Sequence, residues 1–114
     1  MIDFACKRFN LDEIIKCGLG LTKTDYFILK FLVEHKTEFS SEAVAKGIEV
    51  DLSTAQRSLK KLREKELILR RQVNLDSGGY VFLYRGKPKE EVKKLVLDIV
   101  SNWGKGVENA LNRW

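Results

Sequence analysis

The spacing of apolar residues changes abruptly at Leu67, and this change restricts the folds that the chain can adopt. Before Leu67, apolar residues recur every three or four positions, which is typical of a helix with one buried face. That stripe consists of Ala55, Leu59 and Leu62. After Leu67, two segments rich in β-forming residues, 68–73 and 80–85, flank a polar stretch that contains Gly78-Gly79. Two such segments joined through a Gly-Gly pair predict a β-hairpin.

Four helices are predicted before this hairpin. The first, 9–17, ends at two glycines, Gly18 and Gly20, because glycine accommodates the backbone angles of a helix end. The second begins after Thr22 and continues to about residue 35. The third begins at Ser40, whose side chain is well suited to an N-cap.

The fourth helix carries a second signal at its start. Residues 53–56 fit the S-x-x-Q capping box, in which two side chains satisfy free amides at a helix N-terminus. After the hairpin, Pro88 is predicted as the first residue of a final helix, with Glu90 and Glu91 in its first turn. The order of elements predicts a mainly α fold with a β-hairpin wing, which is a winged helix-turn-helix with a long C-terminal helix.

This region of the sequence resembles the MarR and TrmB-type winged-helix transcriptional regulators, especially small archaeal ones. The resemblance covers roughly residues 10 to 87 and rests on 21–25, 40–45, 52–62 and 65–68. Glu66 stands where the family usually has a glycine, so the junction between the fourth helix and the wing is expected to differ from that of the family. The hairpin tip, 76–79, lacks the family's usual arginine, so the tip is expected to differ as well. The resemblance implies a regulator that dimerises through its terminal helices.

The excess positive charge of the chain is concentrated in the fourth helix and the first strand of the hairpin. The whole chain has a formal net charge of +5, and residues 57–71 alone account for that excess. A DNA-facing surface requires such a placement, because phosphate neutralisation and counterion release drive most of the affinity. The simpler alternative is that these charges lie on a solvated helix face without a ligand. Because the positive charge coincides with a helix-turn-helix, double-stranded DNA is favoured as the partner.

The second helix of a helix-turn-helix enters the major groove, and its N-terminal residues reach base edges. The predicted recognition residues are Ser53, Thr54, Gln56, Arg57, Lys60 and Lys61. Gln56 can pair with adenine and Arg57 with guanine, although Gln56 fits the capping box equally well. The two lysines are expected to contact phosphate. The exposed amides near Ser40 and Ser41 are predicted to support phosphate contacts.

The wing is predicted to contribute a second set of DNA contacts. Its candidate residues are Arg70, Arg71, Gln72, Asn74, Ser77 and Gly78. Strand alternation places the two arginines on opposite faces, so only one of them can face the duplex. The return strand also carries an aromatic stripe that can stack nucleobases but is expected to pack on the core. The stripe consists of Tyr80, Phe82 and Tyr84.

The final helix carries more apolar surface than one small winged domain can cover, and such a patch indicates an interface. We predict a homodimer in which this helix packs against its symmetry mate, together with Phe4 and Phe9. The helix contributes Val92, Leu95, Val96, Ile99, Val100, Trp103, Val107, Ala110, Leu111 and Trp114. A helix folded back on its own domain is the alternative. A two-fold dimer reads a pseudo-palindrome with half-sites ~10 bp apart, or a multiple of that spacing.

The predicted organisation is one compact unit, with a winged helix-turn-helix DNA-binding domain over 1–87 and a dimerisation helix over 88–114. The predicted function is that of a sequence-specific transcriptional regulator of double-stranded DNA. The alternative is a winged-helix module that binds protein or RNA in an assembly. The sequence identifies neither the operator nor a small-molecule effector, and it does not distinguish a repressor from an activator.

Several other classes of protein are not expected. His35 is the single histidine, and the sequence has no catalytic triad, no phosphate-binding glycine loop and no metal-ligand cluster, so we expect no enzyme, no metal and no cofactor. Cys6 and Cys17 are expected to be buried structural residues. Without a secretory signal or a bilayer-length apolar run, the chain is expected to be cytoplasmic, with no membrane partner.

Overall fold

The computed structural model describes residues 2–5 and 7–114. In this part of the chain, five helices and two β-hairpins form two compact units, which are residues 2–5 and 7–22 with 90–114, and residues 23–89. The elements in order are β1 (Ile2–Phe4), β2 (Lys7–Phe9), α1 (Leu11–Leu19), α2 (Lys23–His35), α3 (Ser41–Gly47), α4 (Leu52–Glu64), β3 (Ile68–Asn74), β4 (Tyr80–Gly86) and α5 (Lys89–Asn112). The predicted winged helix-turn-helix with a long C-terminal helix is confirmed.

The unit formed by residues 23–89 has its core between α2, α3, α4 and the base of the β3–β4 hairpin. Its largest fully buried side chains are Ile28, Leu32, Val44, Leu59, Leu62, Leu67 and Ile68. The predicted N-cap of α3 is confirmed, because the Ser40 hydroxyl accepts a hydrogen bond from the Ala43 amide at 3.2 Å. At the end of β4, a Cβ on Gly86 would lie 2.8 Å from the Leu32 backbone, so only glycine allows this strand to approach α2 so closely.

The β3–β4 hairpin confirms the predicted wing. Its strands pair antiparallel from Ile68 opposite Gly86 to Asn74 opposite Tyr80. Gly78 and Gly79 have φ angles of 96° and 78°, which the turn requires and glycine adopts without strain. The aromatic stripe does not pack into the core as expected: Tyr80 is 57% exposed, and the other two rings are half-buried. The reason is that Ile68, at the base of the hairpin, is the one strand residue of β3 and β4 that is buried.

The unit formed by 2–5, 7–22 and 90–114 contains a hairpin that the sequence did not indicate. Strand β1 pairs antiparallel with β2, so Phe9, predicted as the first residue of a helix, ends a strand instead. Helix α1 begins after Asn10, whose side chain accepts from the Glu13 amide at 2.9 Å. Gly18 lies inside the helix, and Gly20 ends it with a φ of 67°.

The two cysteines illustrate a second correction in this unit. Cys17 is exposed rather than buried, and Cys6 lies outside the described residues. Helix α1 turns Leu19 inward and half-buries Ile15. Cys17 lies midway between them in sequence, which places it on the opposite side of a helix with 3.6 residues per turn.

Helix α5 begins directly after Pro88, one residue later than predicted. A Cβ on Gly18 would lie 3.4 Å from Cγ2 of Ile99, so α1 and α5 approach each other closely at that point. The structure describes every residue of α5, and none of them is buried. No helix in the described ranges combines the length and the apolar character that a membrane span needs.

Candidate nucleic-acid interface

Helix α4 has two chemically distinct faces. Its inner face consists of Ala55, Leu59 and Leu62, which are completely buried. Its outer face presents Gln56, Arg57 and Lys60 to solvent. The Arg57 guanidinium lies 3.5 Å from the Thr54 hydroxyl, a weak contact that leaves its other donors available. The burial of one face therefore fixes the orientation of the polar side chains on the other.

The start of α4 differs from the predicted capping box. The helix begins at Leu52, and Asp51 is its N-cap residue. The hydroxyls of Thr54 and Ser53 donate to the two carboxylate oxygens of Asp51 at 2.6 and 2.8 Å. These hydrogen bonds, that of Thr54 first, hold the pKa of Asp51 below its ordinary value. The predicted box does not form because the Ser53 hydroxyl donates to Asp51, and the Asp51 side chain itself makes no capping hydrogen bond. Gln56 is the fifth residue of the helix and therefore lies beyond the position that a capping box would use.

Lys61 lies against a buried carboxylate. Its Nζ atom is 2.7 Å from Oδ2 of Asp25, and the Ser58 hydroxyl donates to Oδ1 of the same residue at 2.6 Å. Asp25 is only 3% exposed, so this carboxylate depends on protein donors instead of water. Lys61 thereby ties α4 to α2, and its ammonium is engaged within the unit.

The two wing arginines lie on opposite faces of the hairpin and have different partners. Arg71 forms a bidentate pair with Glu38, with Nη2–Oε1 and Nε–Oε2 distances of 2.7 and 2.9 Å. This pairing lowers the pKa of Glu38 and raises that of Arg71. The Arg70 guanidinium lies 3.9 Å from the centre of the Phe82 ring. Of the two, Arg70 is the one that has no carboxylate partner within the described residues.

The other predicted wing and support residues lie on or near the surface. The Gln72 amide is 3.4 Å from the Asn74 side-chain oxygen, and both residues are exposed. Ser77 and Gly78 are exposed in the turn. Ser40 and Ser41 are half-buried at the start of α3, where the Ser40 hydroxyl already accepts an amide hydrogen bond.

The residues predicted to form the dimer interface are distributed along one unit. Those that are exposed are Phe4, Val100, Trp103, Val107, Ala110, Leu111 and Trp114. Those that are half-buried are Phe9, Val92, Leu95, Val96 and Ile99. Sequence reasoning missed Leu97, which is 67% exposed on the same helix.

Three acidic residues that shape the site were also missed. Asp25, Glu38 and Asp51 each accept hydrogen bonds from residues predicted to touch DNA. Only Asp51 had a detectable signal, since aspartate is a favoured N-cap directly before an apolar-periodic segment. In residues 2–5 and 7–114 no group of three or more potential metal ligands comes together.

The chain is similar to several known proteins. It is 41% identical, with a TM-score of 0.94, to a solved structure described as a possible transcriptional regulator from Methanosarcina mazei Go1, covering 100% of this chain and 96% of that one. It is 28% identical over 109 residues to the uncharacterized protein MJ1503 of Methanocaldococcus jannaschii, covering 96% of this chain and 79% of the relative.

More distant similarity concerns the fold alone. A mutant of MepR from S. aureus, solved bound to an oligodeoxyribonucleotide, has a TM-score of 0.58 at 17% identity, covering 90% of this chain and 72% of that one. No protein-family model matches the sequence. The resemblance to winged-helix transcriptional regulators is thus confirmed at the level of fold and broad family.

Proposed function

The chain belongs to the same winged-helix family as the possible transcriptional regulator of Methanosarcina mazei, and we propose that it regulates transcription by binding double-stranded DNA. We further propose that it binds specific sequences, acts as a homodimer on a pseudo-palindromic operator, and catalyses no reaction. The observation that carries this proposal is the outer face of α4, where Gln56, Arg57 and Lys60 are exposed above a completely buried apolar stripe. A rigid helix with unpaired polar side chains near its N-terminus suits the major groove.

Base reading is assigned to Gln56 and Arg57. Because Gln56 is exposed and lies beyond the first turn of α4, its amide is available for a bidentate contact with adenine. Arg57 offers the fork that matches guanine, and each such contact contributes about 1–3 kcal/mol of discrimination between bases. Ser53 and Thr54 orient the helix start through Asp51 and lie at the edge of this surface.

Phosphate contacts are assigned to the cations that have no internal partner. Lys60 and Arg70 are exposed and have no ion-pair partner among the described residues. Lys61 and Arg71 are paired with Asp25 and Glu38, so we assign them to support of the surface. Each phosphate neutralised contributes a slope of about −0.9 to the dependence of log K on log salt.

The test is a titration of the protein against genomic duplex fragments at several salt concentrations, followed by sequencing of the retained fragments. We expect retained fragments to share a pseudo-palindrome and the affinity to fall steeply with salt. Arg57→Ala is expected to relax the preference among fragments, whereas Lys60→Ala weakens all of them alike. Lys30→Ala, an exposed lysine of α2, is the matched control.

Two results would contradict the proposal. Retained fragments without a shared motif, with equal losses from Arg57→Ala and Lys60→Ala, would remove sequence-specific reading. Absence of salt-dependent duplex binding would remove DNA as the partner and favour a protein-binding or RNA-binding assembly module instead.

A further inference from the structure

The β3–β4 hairpin exposes an aromatic surface that the proposed base reading by α4 does not use. Tyr80 is more than half exposed, and its ring centre lies 5.2 Å from that of Phe82 in an edge-to-face arrangement. The Arg70 guanidinium covers Phe82 from the other strand. Aromatic rings carry a large apolar surface, so the Tyr80 ring exposed on the wing offers a surface on which another flat ring can stack.

Strand pairing defines which side chains share this surface. Gln72 lies opposite Phe82, and Asn74 lies opposite Tyr80. Directly opposed residues of an antiparallel pair present their side chains on the same face. The rings are therefore bordered by amide groups that can donate and accept hydrogen bonds, in addition to the guanidinium. We call the set Arg70, Gln72, Asn74, Tyr80 and Phe82 the wing aromatic face.

The charge of the wing aromatic face matches a ligand that carries phosphates. Arg70 lies on this face, whereas Arg71 is turned to the opposite face and is neutralised by Glu38. The one acidic residue of the segment 68–86 is Asp76, which lies in the turn. An exposed ring next to a cation that has no carboxylate partner among the described residues is suited to stacked bases and their phosphates.

We propose that the wing aromatic face binds unpaired nucleobases of a single-stranded nucleic acid. Unpaired bases offer free π-faces to the exposed Tyr80 ring and to the Arg70 guanidinium that lies over Phe82, whereas bases in a duplex are already stacked on their neighbours. Gln72 and Asn74 contact base edges, and Arg70 contacts the adjoining phosphate. This activity goes beyond the proposed reading of duplex DNA and does not depend on it.

The experiment measures fluorescence anisotropy of labelled dT and rU oligomers, ~12 nucleotides long so that several bases can be engaged, at ~50 mM salt. We expect the full chain to bind and Tyr80→Ala to weaken binding about 5- to 100-fold, the range for loss of one stacked base. Tyr80→Phe keeps the ring and should retain affinity. Tyr80→Leu keeps an apolar side chain without a π-system and should behave like Tyr80→Ala.

The matched control is Phe27→Leu, which removes an exposed ring from α2 and leaves the wing intact. Binding of dT and rU alike identifies the shared base and phosphate chemistry as the ligand, and a preference for rU identifies RNA through its 2′-hydroxyl. Either result supports the proposal, provided that the tyrosine series behaves as expected.

Two results would overturn it. The wild-type chain could bind neither oligomer, or Tyr80→Ala could bind as tightly as the wild type. In the second case, a change in the mass of Tyr80→Ala measured by sedimentation would identify this face as a protein contact. Duplex binding is measured in parallel, so loss of single-strand binding alone leaves the proposed regulatory function standing.

Discussion

Glu66 adopts a backbone conformation that glycine would adopt more easily. Its φ angle is 60°, in the left-handed region where a Cβ crowds the neighbouring carbonyl. The turn is needed because Leu67 must donate its amide to the Leu62 carbonyl, at 3.0 Å, before β3 begins. Glu66→Gly relieves about 1–2 kcal/mol of backbone strain in the folded state. It also increases the conformational entropy of the unfolded chain, which lowers stability by at most about 1 kcal/mol. We therefore expect a net stabilisation of about 0.5–1 kcal/mol in urea unfolding.

Glu64→Gly is the matched control for this change. Glu64 is the last residue of α4 and has a helical backbone, so glycine there should destabilise the protein by up to about 1 kcal/mol. Opposite signs for the two variants would confirm that the backbone of Glu66 is strained. A loss of stability in both would show that the glutamate side chain matters more than its conformation.

Lys61 and Lys60 are neighbours in sequence with different expected roles. Lys61→Ala removes the cation from the buried carboxylate of Asp25 and should cost about 1.5–3 kcal/mol of unfolding free energy, as measured in urea. Lys60→Ala removes an exposed charge and should change stability by less than about 0.5 kcal/mol. Equal effects of the two substitutions would show that the Asp25 pair contributes nothing to the fold.

At the scale of elements, the start of α4 makes stability depend on pH. Thr54 and Ser53 lower the pKa of Asp51, so the unfolded state holds this proton more tightly than the folded state. Stability therefore rises with pH between the folded-state and the unfolded-state pKa of Asp51. The stabilisation contributed by Asp51 is complete above the unfolded-state pKa and is lost as pH falls through the folded-state pKa. Asp51→Asn should flatten the stability curve between about pH 2 and pH 5 in urea titrations.

Thr54→Ala tests the cause of that dependence. It removes the strongest of the donors to Asp51, so the pKa of Asp51 should move back toward its ordinary value and the curve should flatten part of the way. If the slope of the wild-type curve persists in both variants, other carboxylates determine the acid sensitivity of the protein.

Elements with a local signal were the ones that the sequence predicted correctly. Helix α3 has a serine N-cap, and the wing has a Gly-Gly turn between two β-rich segments. The β1–β2 hairpin was missed because strands of three residues are too short to show an alternating pattern. The roles of Lys61 and Arg71 were missed for another reason: their partners lie 36 and 33 residues away, and no local spacing reveals such pairs.

At the scale of the whole molecule, we propose that a partner covers the apolar surface of α5. Trp103 is 64% exposed on α5, and Trp114, two residues past the end of this helix, is 100% exposed. Exposed apolar surface of this extent on one helix indicates a protein interface. A second copy of the chain is the partner that the proposed pseudo-palindromic operator requires, because a two-fold site is read by a two-fold dimer.

Trp103→Glu tests the dimer and its consequence for DNA together. The wild type should have about twice the 13.2 kDa mass of one chain by light scattering, and the variant should have the mass of a monomer, because burying an unpaired carboxylate opposes association. Lys105→Glu is the control, since a residue two positions along the helix points away from Trp103.

Affinity for a full operator should fall in Trp103→Glu while affinity for an isolated half-site is retained, because linked binding is lost but the reading surface is intact. A monomeric wild type at micromolar concentration, or an unchanged operator affinity in the variant, would exclude α5 as the interface that sets operator symmetry.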